Sequence, residues 1–151
     1  MLLKFPEDLH CSIACVKEIK TKSALIAGQE LGEKLLYGLQ GVRRNLSILF
    51  LDGMMEEGSK LLYGLEEKLG LSFPVVGASA SDNLRFSKTY TYFKNEAAYD
   101  AACGMLWGGK LNFGLGIKHG WKPLGKPHIV TKARGNIVYE IDNAPATKVY
   151  E

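Results

Sequence analysis

The sequence predicts an α/β fold: a mixed β-sheet with N-terminal βαβ units and C-terminal antiparallel hairpins. Three observations predict it. In the first half, short apolar runs alternate with leucine stripes at helical spacing, as strands alternate with helices over a parallel sheet. The two stripes echo each other in sequence. In the second half, β-forming stretches are broken by glycine turns, the pattern of hairpins.

Residues 1–10 read as an N-terminal extension. Lys4, Glu7 and Asp8 around Pro6 break any apolar core of the kind a signal peptide needs. Residues 11–17 read as the first strand. Thr21 or Ser23 then offers an N-cap, and Ala24, Gly28, Leu31, Leu35 and Leu39 form the apolar stripe of a helix over 23–40. Gly28 and Gly32 each cost about 1 kcal/mol inside a helix; close approach of the helix to a sheet is the expected return. Residues 46–51 are a nearly continuous apolar run, suited to a strand buried on both faces. Asp52-Gly53 turns the chain into a second helix over 55–69. Glu56 and Glu57 complement the dipole of its first turn, Leu61, Leu62, Leu65 and Leu69 supply its buried face, and Gly70 ends it. Residues 75–78 form the next strand, parallel to 46–51 because a helix connects them.

The echo is Lys34-Leu35-Leu36-Tyr37-Gly38-Leu39 against Lys60-Leu61-Leu62-Tyr63-Gly64-Leu65. It predicts two helices docked in the same way on one sheet. Beyond it, 89–93 is rich in β-formers. Residues 101–107 and 111–117 flank Gly108-Gly109-Lys110 as one hairpin, and 128–133 and 136–141 flank Arg134-Gly135 as another. Asp142 or Asn143 then caps a final helix with Pro145 at its first position. That helix has no room for a buried face before Glu151, which predicts that the natural protein continues.

With 151 residues, 46% of them apolar and 23% charged, the chain is long enough to bury a core without staples. No apolar run approaches the roughly 18 residues that span a bilayer, so no membrane partner is expected. The net charge of +3, from 19 basic and 16 acidic residues, is too small for an electrostatic footprint on nucleic acid. Arg43-Arg44, the densest basic pair, reads as a solvated turn. Cys11 and Cys15 on one strand would stand about 13 Å apart, too far for a bridge, and Cys103 lies far along the chain. Three reduced thiols in a cytoplasmic protein are the simplest reading.

The stretch His119-Gly120-Trp121-Lys122-Pro123-Leu124-Gly125-Lys126-Pro127 is followed by Val130-Thr131-Lys132-Ala133. Then come Gly135-Asn136-Ile137-Val138-Tyr139-Glu140-Ile141-Asp142, Pro145-Ala146 and Tyr150. This series closely resembles the end of the N-terminal half of FIST domains. Upstream, Pro74-Val75-Val76-Gly77-Ala78-Ser79-Ala80-Ser81-Asp82-Asn83 is similar to the family's other signature. The resemblance covers residues 11–151, read as one FIST N-like domain. It implies a non-enzymatic sensory domain of a signal-transduction protein that binds a small molecule, with amino acids among the suggested ligands. FIST domains occur with kinases, cyclases and chemotaxis receptors, and with an F-box in eukaryotes, so such an effector is the implied partner. A haem-binding nitric oxide sensor is the alternative it implies. The C-terminal half of the module is absent from this sequence. The resemblance makes that half a further partner, and the surface meant for it is expected to be apolar and to favour self-association.

Gly77, Ser79, Ser81, Asp82 and Asn83 follow a parallel strand, and ligands of open α/β sheets bind beyond the carboxyl ends of such strands. Their hydroxyls, carboxylate and amide suit a small polar ligand, with Asp82 meeting an ammonium group. The competing reading is a turn whose side chains bond their own backbone. Gly77-Ala78-Ser79-Ala80-Ser81 nearly forms a nucleophile elbow but has serine where the last glycine belongs, so a hydrolase using Ser79 and His119 is a weaker alternative. His119 and Trp121, beside flexible glycines, either line a pocket or ligate haem, or make a structural corner with Trp121 on Pro123. No metal site is expected, because no paired Cys/His spacing occurs. Gly114-Leu115-Gly116 with Gly120 has the wrong spacing and setting for a dinucleotide fingerprint.

Overall fold

The first strand, β1, spans Leu9–Lys17, and its polar–apolar alternation turns Ser12, Ala14 and Val16 to one face. The computed structural model describes residues 5–135 and 137–149; expectations resting on Lys4, Asn136, Tyr150 and Glu151 lie outside them. After a single 3-10 turn, Ile19–Thr21, the helix α1 runs over Ala24–Tyr37 with Ser23 at its N-cap. Strand β2 follows at Arg44–Leu51, helix α2 at Gly58–Leu69 and strand β3 at Val75–Ser79. A small hairpin, β4 (Thr91–Phe93) with β5 (Glu96–Ala98), precedes the long strand β6, Ala101–Gly109.

The chain divides into two units, one up to Asn112 and one from Phe113 on. The sheet of the first has the order β1-β6-β2-β3. β2 and β3 are parallel neighbours, as the helix between them requires. β6 is antiparallel to both β1 and β2 and lies between them. The sheet is therefore mixed, with β1, β2 and β3 running one way and β6 the other.

Both helices bury their leucines against one face. Leu31 and Leu35 of α1, Leu61, Leu65 and Leu69 of α2, and Ala14, Val16, Leu49, Ala102 and Leu106 of the strands form a single core. The echoed segments bury equivalent positions: Leu35 with Leu61, Leu39 with Leu65, while Tyr37 and Tyr63 stay exposed. Their glycines differ. Gly38 closes α1 as its C-cap, whereas Gly64 lies inside α2.

Several expectations are corrected. Gly28 and Gly32 bring α1 close to α2, not to the sheet: a Cβ on Gly28 would overlap the Leu61 carbonyl, and one on Gly32 would sit 2.7 Å from Lys68 Cβ. Gly64 returns the contact against Leu25. Strand β2 is fully covered only on its helix side; on the other face Leu46 is buried but Phe50 is 45% exposed. Glu57 is the N-cap of α2 and does not lie within its first turn. Arg44 opens β2 with its guanidinium over the Phe73 ring. Strand β1 begins at Leu9, ahead of the expected start, and Phe5 meets the Trp107 ring edge-on at 4.9 Å.

Residues 111–117 form no strand. Both edges of β6 are already paired, by β1 and β2, so β6 has no free edge for a hairpin partner. The amide of Lys110 instead donates to the Asp8 carbonyl at 3.0 Å.

The second unit holds a three-stranded antiparallel sheet in the order β7-β8-β9: Val130–Arg134, Ile137–Ile141 and Ala144–Pro145. The first of its hairpins turns at Gly135, as expected. At the second, Asp142 and Asn143 do not cap a helix. Both have positive φ, 51° and 63°, which is the backbone of a two-residue hairpin turn. They place Pro145 opposite Glu140 in a short edge strand, where its missing amide is harmless. A 3-10 turn, Ala146–Val149, stands where the final helix was expected. His128 Nδ1 lies 2.6 Å from an Asp142 carboxylate oxygen, and the other oxygen accepts the Ile129 amide.

Candidate functional site

The carboxyl ends of β1, β2 and β3 share one edge of the sheet, and β6 starts there. Backbone hydrogen bonds gather the loops at that edge. The Ile19 amide donates to the Asp100 carbonyl at 3.3 Å, the Asp52 amide to Ala101 at 3.0 Å, and the Ala80 amide to Leu51 at 2.8 Å.

Asp52 is the organising group. It is only 6% exposed. Its carboxylate accepts the amides of Met54 at 2.8 Å and Asp100 at 2.7 Å, and a close hydrogen bond from the Thr89 hydroxyl. That hydroxyl oxygen accepts the Gly53 amide in turn. Burial pushes the Asp52 carboxyl up, but the hydrogen bonds from Thr89, Met54 and Asp100, with the Lys20 charge nearby, pull it lower still, and the net shift is downward. Asp52 is therefore an ionised structural anchor and not a proton donor at neutral pH. The Asp100 carboxylate accepts the Lys20 amide at 3.1 Å.

Beside this network opens a cleft of 450 Å³ lined by Lys20, Lys22, Glu56, Glu57, Ser87 and Asp100, with Met54 and Met55 on its wall. Charges of both signs face one volume, next to the N-terminus of α1. The arrangement suits a small ligand carrying both an anionic and a cationic group. Among the described residues no group of three His, Cys, Asp or Glu side chains is placed to hold a metal ion.

The residues singled out in the sequence fall around this edge only in part. Gly77 lies within β3, where a Cβ would overlap the Leu49 carbonyl of β2, so its smallness serves the strand pairing. Ser79 ends β3 and lines a smaller cleft of 280 Å³ with Phe50, Ala80, Tyr90 and Tyr92. The following segment runs as a loop to β4 with no helix, so the strand-turn-helix context of a nucleophile elbow is missing. Ser81, Asp82 and Asn83 are in that loop. Asp82 accepts the amides of Arg85, Phe86, Ser87 and Lys88 at 2.8–3.3 Å. Those bonds, Ser87 first, hold its carboxyl below the usual range. They also stabilise a backbone in which Asn83, Leu84 and Phe86 all have positive φ. His119 and Trp121 belong to the second unit, on a segment without regular structure, with Trp121 86% exposed.

The family model described as FIST N domain matches residues 3–144. The chain belongs to the FIST N family. FIST domains are sensory domains of signal transduction. An uncharacterized protein of Methanocaldococcus jannaschii is 29% identical over 157 aligned residues, covering 99% of this chain and 30% of its own length. The chain thus spans under a third of that relative. No solved structure matches the chain. No helix among the described residues is long and apolar enough to cross a membrane.

Haem, the alternative that the resemblance implied, needs an axial ligand beside an apolar slot. His119 sits on exposed backbone without regular structure, and a Cβ on the neighbouring Gly120 would meet nothing within 4 Å. Within the second unit, the described residues around His119 form no such slot and do not fit the group.

Lys20, Lys22, Asp52, Ser87 and Asp100 were not legible as site residues. The one available signal was a carboxylate, Asp52, directly after a buried strand, where the turn reading absorbed it.

Proposed function

We propose that this FIST N domain is a non-enzymatic sensor whose ligand, a small zwitterion such as an amino acid, binds in the cleft at the carboxyl edge. The observation that carries the reading is that cleft: Lys20 and Lys22 line its 450 Å³ together with Glu56, Glu57 and Asp100, with Lys22 also paired to Glu30 and Glu57 to Lys60. The lysines would hold a carboxylate and the acidic groups an ammonium. The loop carrying Ser81, Asp82 and Asn83 would border the ligand through Ser87. Binding would favour one arrangement of the loops at that edge over another and so shift the population that an effector reads. A kinase, a cyclase or a chemotaxis receptor is the expected class of effector, and the C-terminal half of the module a further partner. The three free thiols favour a cytoplasmic setting.

The test is a thermal-shift screen with the common amino acids, followed by calorimetric titration of any hit. A ligand at 100 times its Kd adds about 2.7 kcal/mol, a rise of about 5–10 °C for a domain of this size. Lys20→Ala should weaken binding about tenfold, the worth of one charge-assisted hydrogen bond. A panel without a single hit, or a hit indifferent to Lys20→Ala and Lys22→Ala together, overturns the reading.

A further inference from the structure

Cys15 in β1 stands directly opposite Cys103 in β6, although 88 residues separate them along the chain. Their Sγ atoms are 2.7 Å apart. Cys15 is half-buried and borders an open cleft at the rim of β1 with Lys17, Lys34 and Lys94. Cys103 is buried behind it, its sulfur 3.4 Å from the Thr91 hydroxyl. Cys11, on the same strand as Cys15, has no thiol opposite: its register partner is Trp107.

Two thiols this close share a proton and ionise in two steps. The hydrogen bond from Cys15 lowers Cys103 to about 7 despite burial, with Thr91 and the Lys17 charge assisting. The same hydrogen bond, then burial and the Cys103 charge, raise Cys15. Above a pH of about 7 the pair therefore carries mostly one negative charge and one shared proton.

We propose that Cys15 and Cys103 are a redox-active pair, a modification site that closes into a cross-strand disulfide when the domain meets a hydroperoxide. The Cys15 sulfur is the one reached from the rim. Passage of the shared proton to Cys103 leaves a Cys15 thiolate, which attacks one oxygen of hydrogen peroxide. The O–O bond breaks, and the departing hydroxide takes back from solvent the proton that the pair released on its first ionisation, becoming water. Cys15 is now a sulfenic acid. Cys103, giving up the shared proton, attacks the Cys15 sulfur, the S–O bond breaks, and a second hydroxide leaves as water. Two thiols and one peroxide give one disulfide and two waters, with two electrons passing from the sulfurs to the peroxide. Directly opposed antiparallel residues have Cα atoms about 4.5–5.5 Å apart, within the range a disulfide spans. The bridge would staple the edge strand β1 to the centre of the sheet.

The test treats the whole chain with stoichiometric hydrogen peroxide at mildly alkaline pH, blocks remaining thiols by alkylation and maps peptides by mass spectrometry. The expected result is a linked Cys15–Cys103 peptide and an alkylated Cys11. The intact mass falls by two hydrogens. The melting temperature rises by several degrees because the closed loop constrains the unfolded chain, and dithiothreitol reverses the rise. Cys15→Ser and Cys103→Ser should each abolish both signals. If the buried Cys103→Ser variant fails to fold, Cys15→Ser at the rim carries the comparison. A Cys15 found alkylated or over-oxidised in place of linked, a bridge to Cys11, or linkage just as fast in urea each overturns the proposal.

Discussion

The crossing of α1 and α2 sets a quantitative test of the core. Gly28→Ala places a methyl group against backbone: the new Cβ overlaps the Leu61 carbonyl and falls 2.9 Å from both its carbonyl carbon and the Leu65 nitrogen. Carbon atoms pack at about 3.5–4.0 Å, so the helices must separate by about 1 Å. A gap of that size forfeits about a quarter to a half of the dispersion well for each facing atom pair. The pairs concerned belong to Leu31, Leu35, Leu61 and Leu65, all fully buried. Overpacking costs about 1–3 kcal/mol. The upper figure applies here, because backbone has no rotamer through which to escape. Against it stands the better helix propensity of alanine, about 1 kcal/mol. The net expectation is a loss of about 2 kcal/mol, or about 4–8 °C in melting temperature for a chain of this length. Far-UV circular dichroism during thermal unfolding reads it.

The control is Gly58→Ala, whose Cβ meets only Leu51 Cδ1 at an ordinary 3.6 Å. It should be neutral or gain up to about 1 kcal/mol. Gly28→Ala combined with Gly64→Ala should cost less than the two singly, since one separation relieves both overlaps. A Gly28→Ala protein that melts at or above the unmodified chain would refute the close crossing.

Asp52→Ala leaves the Met54 and Asp100 amides and the Thr89 hydroxyl without their acceptor and should cost about 3 kcal/mol, read as a lower urea midpoint. Because the folded Asp52 carboxyl lies below its unfolded value, its contribution is complete above the unfolded pKa and lost as pH falls through the folded one. Asp52→Asn should therefore flatten the acid limb of stability below a pH of about 4. Asp82→Ala should release residues 83–88, seen as faster proteolytic cutting there, with the melting temperature nearly unchanged. Acidification through the lowered Asp82 pKa should reproduce that release in the unmodified chain, and equal cutting of both proteins at all pH values would count against a role for the carboxylate in ordering the loop.

Helix existence and buried faces were legible because periodicity reports burial directly. Leu31, Leu35, Leu61, Leu65 and Leu69 are all buried as their spacing predicts, and β2 and β3 pair in parallel as their connection requires. What the spacing left open was the neighbour on the far side of each face. A glycine inside a helix signals close approach, but the same signal serves a sheet or another helix, and at Gly28 the partner is α2. The hairpin expected around Gly109 failed for a related reason. A glycine turn between β-formers is a local signal, and it carries no information about whether an edge is free.

The placement of β6 decides the rest of the architecture and of the site. It enters between β1 and β2, so its first residues meet the last residues of two strands that come far earlier in the chain: Ala101 opposite Lys17 and Ala102 opposite Leu51. That insertion carries Asp100 to the ends of β1 and β2, where its amide meets Asp52 and its carboxylate meets Lys20. It also sets Cys103 against Cys15. The cleft and the thiol pair are thus two consequences of one long-range pairing. Alternation within β6 fits burial on either side of a sheet, and no residue in it names its partners. Asp52 reads as an ordinary turn residue, and Cys103 as a solitary thiol, until the strand order is known. A one-residue slip of β6 would turn Cys103 to the opposite face, away from Cys15, and would displace Asp100 from the bonds that gather the loops at the carboxyl edge. The register of β6 is therefore the feature on which both proposed activities depend.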